Sequence, residues 1–377
     1  MSLVVDEHRE YLADPVRVGA FDAALRAMVR PGDVVLDLAS GTGILGLLAL
    51  RAGAARLYAI ESEPIAGLAR RIARDNGLAD RITILQTLST RATLPEPVDL
   101  IVTDLAGRFG FEAGLIEVLA DARQRFLKPG GRTIPSAVTL SVAPVEARDV
   151  RAQVDFWQAP IAGFSFAAAH AIARGTGYPR HLTPADLLAE PAVLATIDLA
   201  ANADVISGRG AFIVQRAARL DGIGGWFAAA LAPGVELTNA PGAAQRINRR
   251  NVFFPLRDSV AVLPGDAVAV SMVIRPEVLV VRWRVEVRRG AALLHTTASS
   301  TFEGMLLSQR DVNHTRPDST PVLTASGQAR RTVLDLCDGA RTLREIETAV
   351  FEAHPALFRA HAQAAEFVAE VLTRYAE

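Results

Sequence analysis

Val35-Leu36-Asp37-Leu38-Ala39-Ser40-Gly41-Thr42-Gly43-Ile44-Leu45 runs from a strand through a glycine turn into a helix without a break. Residues 33–38 are a short apolar run containing Asp37, and residues 39–43 are turn formers. The apolar spacing over 44–53 predicts a helix stopped at Gly53. Glycines in such a turn let the backbone pass close to a ligand, and the helix start offers unpaired N–H groups. Further out, residues 56–60 read as a second strand closed by Glu61, 18 residues after Gly43. A carboxylate there can accept hydrogen bonds from two ribose hydroxyls. An amphipathic helix over 64–76 ends at Gly77, and a third strand covers 81–85. A fourth covers 98–103 and is followed by Asp104, then by a helix over about 113–127 and a stop at Lys128-Pro129-Gly130-Gly131.

Strands alternating with helices of about 10–15 residues predict parallel βαβ units covered on both faces. Residues 1–135 are therefore expected to form an α/β, Rossmann-like domain that binds a nucleotide. Gly41-Thr42-Gly43-Ile44-Leu45-Gly46 also fits the dinucleotide spacing, so NAD stays open on this run alone. Asp37 inside the strand end, Thr42 between the glycines and Asp104 closing the fourth strand favour S-adenosyl-L-methionine. The expected cofactor contacts on this pattern are Asp37, Ala39, Ser40, Gly41, Thr42, Gly43, Glu61, Ser62 and Asp104.

The pattern changes over about 137–302, where short alternating apolar runs such as 267–275 and 279–289 are separated by Gly, Pro, Asn and Asp. This is antiparallel β sequence, a sandwich or a barrel. Residues 159–190 interrupt it with an Ala-rich, helical excursion. A polar linker is expected over 303–319, then helices over 325–337 and 361–375. Between them a third begins at Leu343, behind Thr342 and Glu345 at capping-box spacing.

The chain has 377 residues, enough for two or three domains, and half are apolar, which excludes a wholly disordered chain. Lys plus Arg number 40 and Asp plus Glu 41, so the net charge of -1 argues against nucleic acid or an anionic membrane as partner. One cysteine, Cys337, excludes a disulfide framework, and its apolar surroundings predict a core position. The seven His show no metal spacing, so no metal is expected. Neither a signal peptide nor a membrane span of about 18 apolar residues is visible, so a cytoplasmic protein is the expectation.

The glycine run resembles motif I of class I methyltransferases, especially the protein arginine methyltransferase group. His8-Arg9-Glu10-Tyr11-Leu12-Ala13-Asp14-Pro15-Val16-Arg17 resembles the segment that precedes motif I in that group, and Pro135 with Thr139-Leu140 resembles its entry into a β-barrel domain. The likeness covers about residues 7–290, most closely over the first 145. It implies S-adenosyl-L-methionine as cofactor, Arg17 on the methionine carboxylate, a β-barrel substrate and dimerisation domain over 136–310, and an arm over 159–190 that pairs two copies. By the same resemblance Asp104 and Glu112 match two acids that orient an acceptor guanidinium, which makes them the expected catalytic pair.

Three departures qualify that expectation. The first acid is Asp rather than Glu in a loop one residue short. The group's Thr-His-Trp is replaced near Gln245-Arg246-Ile247-Asn248-Arg249-Arg250-Asn251, where two arginines favour an anionic or neutral acceptor. The resemblance implies Leu88 and Ser89 as adenine contacts, but Ser89 stands where a Glu usually meets the adenine amine. Residues 320–377 resemble small winged-helix PqqD-like modules, which implies leader-peptide binding by β-augmentation. Together these imply N-methylation of a peptide or protein, with arginine among the acceptors, in a ribosomally made peptide. Small-molecule N- or O-methylation and a non-catalytic peptide-binding scaffold are the alternatives.

Overall fold

A computed structural model describes residues 4–201, 203–308, 311 and 316–375, so the first three residues and 309–310 and 312–315 of the expected linker lie outside the described residues. The chain separates into two compact units, Met1–Met305 and Leu306–Glu377.

The first unit opens with helices α1 (Val4–Leu12) and α2 (Pro15–Met28). Asp14 starts α2 by accepting the Arg17 N–H, and Pro15 takes the first turn, where its missing N–H costs nothing. Next come β1 (Val34–Leu38), α3 (Ile44–Arg51), β2 (Arg56–Glu61), α4 (Ile65–Asp75), β3 (Ile82–Gln86), β4 (Val98–Thr103), α5 (Leu115–Phe126) and β5 (Leu127–Ile134). The five strands are parallel in the order β3-β2-β1-β4-β5. Every residue of β1 is buried, as expected of a central strand covered on both faces.

Residues 128–131, expected as a stop, lie inside β5. The strand absorbs them as an irregularity: Val98 pairs with Leu127, but Leu100 pairs with Arg132. Pro and Gly there mark a bulge rather than an end.

The rest of the unit is mainly antiparallel. It contains β6 (Ala137–Val145), α6 (Arg148–Asp155), α7 (Ala167–Ala173), β7 (Tyr178–Arg180), β8 (Ala192–Asp198), β9 (Ile206–Ile213), β10 (Ala218–Ala232), β11 (Val235–Thr238), β12 (Asn251–Val262), β13 (Ala267–Arg275), β14 (Val280–Arg289) and β15 (Ala292–Ser300). One sheet has the order β7-β12-β10-β6-β8, with β11 on β10. The other is β15-β14-β13-β9.

The expected closed barrel is therefore replaced, among the described residues, by two sheets. They meet through side chains where closure would need ladder bonds. Trp283 of β14 donates its indole N–H to Pro255 O of β12 at 3.1 Å, and its ring lies 5.1 Å from that of Phe254. Burying such a side chain contributes about 1.5–3 kcal/mol. The excursion over 159–190 holds one seven-residue helix, α7, and is otherwise irregular apart from β7 and a short 3-10 turn. Phe156, Phe164 and Phe166 are exposed beside it.

The second unit contains helices Ala325–Leu336, Leu343–Ala353 and His361–Tyr375 around Val333, Ile346, Val350, Phe358, Val368 and Val371. The capping box forms as expected: Glu345 accepts the Thr342 N–H at 2.7 Å, and Thr342 Oγ1 accepts the Glu345 N–H. No strand lies among its described residues, so the wing of a winged helix, and the strand edge a peptide would join, are not among them. Cys337 is exposed rather than in the core. It caps the helix that ends at Leu336, and its thiol donates to Val333 O at 3.1 Å.

Candidate active site

In the parallel sheet β1 lies between β2 and β4, so the chain's progress across the sheet reverses there. Crevices for ligands open beyond the strand ends at such a switch point. The turn after β1, Glu61 ending β2, Leu88 and Ser89 beyond β3, and Asp104 beyond β4 all stand on that edge.

The turn after β1 is tightly wound, with Ala39, Gly41 and Gly43 at positive φ. Gly43 N–H closes onto Ser40 O, and Glu61 accepts Gly41 N–H at 2.8 Å and Glu63 N–H at 2.9 Å. Each oxygen of Glu61 keeps a second lone pair that a hydroxyl can use. Gly46 packs against β2 so closely that a Cβ would sit 2.2 Å from Leu57. Asp37 accepts Gly46 N–H through Oδ2, while its Oδ1 and the nearby Ser40 Oγ are buried without a partner. Burial pushes the Asp37 carboxyl up to about 7; the Gly46 hydrogen bond and Arg17 oppose this, and Glu61 adds to it. Unpartnered buried oxygens of this kind call for a ligand or a water. They fit a nucleoside with hydroxyl and ammonium donors.

α1 lies over the turn. Its His8 ring is so close to Gly41 that a Cβ there would meet it at 2.6 Å, and a hollow of about 400 Å³ runs between α1, Thr42 and α4. Ser62 and Leu88 are exposed at the rim, and Ser89 is half-buried, its backbone carbonyl held by Arg125.

A larger cleft of about 1150 Å³ is lined by α1, the start of α2, the loop after β4, His181 and residues 247–250. At its floor Asp104 is held by two guanidinium groups. Arg17 Nε donates to Oδ2 at 2.6 Å, and Arg249 donates to Oδ1 at 3.1 Å and to Oδ2 at 2.8 Å. Burial raises the Asp104 carboxyl, but Arg249 and Arg17 together outweigh it and hold it below the ordinary carboxylate range. Arg17 also donates to Tyr11 O, which leaves Nη2 for a ligand, and Tyr11 places its ring beside both guanidinium groups.

Glu112 braces its own loop: it accepts Arg108 N–H at 3.1 Å, Phe109 N–H at 2.8 Å and Phe111 N–H at 3.4 Å. Phe109 and Phe111 are fully buried, and Gly110, at φ 94°, passes where a Cβ would meet Leu140 and Val138 at 2.7 Å. Asp14 fastens the opposite wall, accepting the Arg17 N–H and the Asn248 N–H.

The structure thus brings Arg17 and Asp104 into direct contact and places Glu112 in the same cleft. Asp104 has both oxygens on guanidinium groups, whereas Glu112 has Oε2 on two loop amides and Oε1 on one. Arg249 stood in the sequence only as one of two arginines in the stretch that replaces Thr-His-Trp; its bidentate grip on Asp104 spans 145 residues and has no local signal. Tyr11, Asp14 and His181 were not read as cleft residues individually.

Comparison with known proteins follows this geometry. The family model described as ribosomal protein L11 methyltransferase (PrmA) matches residues 23–148. Protein arginine N-methyltransferase 6 of Xenopus laevis is 32% identical over 204 residues, 52% of this chain and 60% of its own. Protein arginine N-methyltransferase 1 of Chlamydomonas reinhardtii is 36% identical over 154 residues, 40% of this chain and 45% of its own. The chain thus spans 60% or less of the length of these two relatives. Among solved structures, the Trypanosoma brucei PRMT1 enzyme–prozyme heterotetrameric complex with AdoHcy superimposes with a TM-score of 0.70. It is 21% identical and covers 78% of this chain and 97% of its own. The fold is that of the protein arginine methyltransferases. Protein arginine methyltransferase 10 of Arabidopsis thaliana agrees, with a TM-score of 0.66 at 22% identity over 78% of this chain and 97% of its own. Among the described residues no helix is long and apolar enough to cross a membrane.

Proposed function

We propose that the chain is an S-adenosyl-L-methionine-dependent methyltransferase whose acceptor is a peptide or protein. One observation carries this reading: Asp37 Oδ1 and Ser40 Oγ stand buried and unpartnered beside a tight turn at the sheet's switch point. Relatives named as protein arginine methyltransferases and a structural neighbour that holds AdoHcy support it. In this reading Glu61 takes the ribose hydroxyls and Arg17 Nη2 the methionine carboxylate. Asp37 and the backbone from Ala39 to Gly43 face the nucleoside, and Ser62, Leu88 and Ser89 border the adenine. The sulfonium supplies an activated methyl, and the protein's part is to align an acceptor behind it.

The division near residue 135 would separate the cofactor half from the acceptor half. The exposed Phe156, Phe164 and Phe166 support pairing of two copies through the arm. Exposed Val322 and Leu323 support peptide capture by residues 320–377. The test is calorimetry with S-adenosylhomocysteine. Micromolar binding that weakens at least tenfold in Glu61→Ala, about 1.4 kcal/mol, is expected. Unchanged affinity in that variant removes the nucleotide assignment.

A further inference from the structure

Three of the carboxylates that line the large cleft are engaged by the protein itself. Asp14 accepts two backbone N–H groups, Asp104 accepts three guanidinium bonds, and Glu112 accepts three loop amides. Two cations in the same lining are different. The side chains of Arg108, in the loop after β4, and Arg250, just before β12, are exposed to the cleft with no acidic partner among the described residues. Arg250 has His181 near it, and partial burial with Arg246 and Arg250 holds that imidazole below its usual value. The acids of the lining not held in this way, Glu7 and Glu10, are exposed on α1, with Arg9 between them paired to Asp6.

We propose that the acceptor atom is a carboxylate oxygen of a polypeptide, held by Arg108 and Arg250, and that the product is a methyl ester. This rests on the methyltransferase reading and names its substrate class. A guanidinium acceptor arrives charged, needs a free carboxylate to orient it and must shed a proton when its nitrogen is methylated. Asp104 is held by two guanidinium groups, and Glu112 has Oε2 engaged by two loop amides and only Oε1 with room to spare, so neither offers the two-oxygen face that a guanidinium fork pairs with. A carboxylate acceptor needs no base, because it is ionised at neutral pH. Its oxygen attacks the methyl carbon, the O–CH3 bond forms, and the S–CH3 bond breaks with its electron pair passing to sulfur. One negative and one positive charge become a neutral ester and a neutral thioether, and no proton moves. With the methionine carboxylate on Arg17, the floor of Arg17, Asp104 and Arg249 carries no net charge, so the attraction for an anionic acceptor comes from Arg108 and Arg250.

The experiment incubates the full-length protein with methyl-labelled cofactor and heat-denatured cellular protein, then treats the product with base. Esters release labelled methanol; methyl groups on nitrogen or ether oxygen do not. Base-volatile label is expected, and it should fall at least tenfold in the double variant Arg108→Ala, Arg250→Ala, while S-adenosylhomocysteine affinity by calorimetry stays within twofold. A second digest, blocked at every C-terminus by amidation, separates side-chain from C-terminal carboxylates. Base-stable label overturns the proposal and leaves the methyltransferase reading standing. Absence of any label despite bound nucleotide overturns both.

Discussion

Asp37 and Asp104 stand at the ends of adjacent strands, β1 and β4, and both are buried, yet their surroundings are opposite. Asp37 has one backbone hydrogen bond and an oxygen with nothing to hold, and its carboxyl is pushed up to about 7. Asp104 has three charge-assisted bonds and is held below the ordinary range, although burial alone would raise it. The same residue type at neighbouring strand ends therefore does two jobs. One end leaves polar atoms free for something absent from the chain; the other is completed by the chain itself. Burial raises both carboxyls and prevails at Asp37, whereas the guanidinium donors that reach Asp104 reverse the outcome there.

The hardest blow to this contrast is to strip Asp104. Arg249→Ala leaves a buried carboxylate with Arg17 alone, and breaking such a pair costs about 3–5 kcal/mol. Chemical denaturation should show it, and a loss below about 1 kcal/mol would mean that Arg249 is not a structural partner. Asp37→Asn tests the other side. A folded value raised from 3.8 to about 7 favours the protonated form in the native state. The stabilisation is complete below about pH 4 and disappears as pH climbs to 7. Relative to the wild type, Asp37→Asn should therefore gain on the order of 3 kcal/mol between pH 4 and pH 8. Parallel stability curves for the two proteins would refute the shift. Asp104 has the reverse sign: its contribution holds above the unfolded value and is lost only in acid below pH 4. The smallest effect belongs to Glu112→Gln, which leaves at least one loop amide unpaired and should cost about 1–2 kcal/mol. Thermal unfolding would measure it, and a neutral result would free Glu112 for another task.

In the parallel half β1 to β4 were legible because each is a mainly apolar run followed by a turn, and local patterning suffices for that. β5 was misread because Pro129-Gly130-Gly131 has the composition of a stop, and only its pairing with β4 shows it to be a bulge. The barrel expectation came from resemblance; alternation in β13 and β14 says which side chains face inward, not whether sheet edges meet. At the site, the positions on the strand ends could be named from sequence, since spacing fixes them. What saturates them could not. Arg249 reaches Asp104 from 145 residues away, and Glu112 is occupied by amides that every loop possesses.

Asp14 ties the helix start at Pro15 to the backbone at Asn248 through a single side chain. Asp104 joins the same two segments a second time through Arg17 and Arg249. The start of α2 and the Asn248 turn are therefore a doubly fastened wall, which a bulky polypeptide would meet as a single leaf.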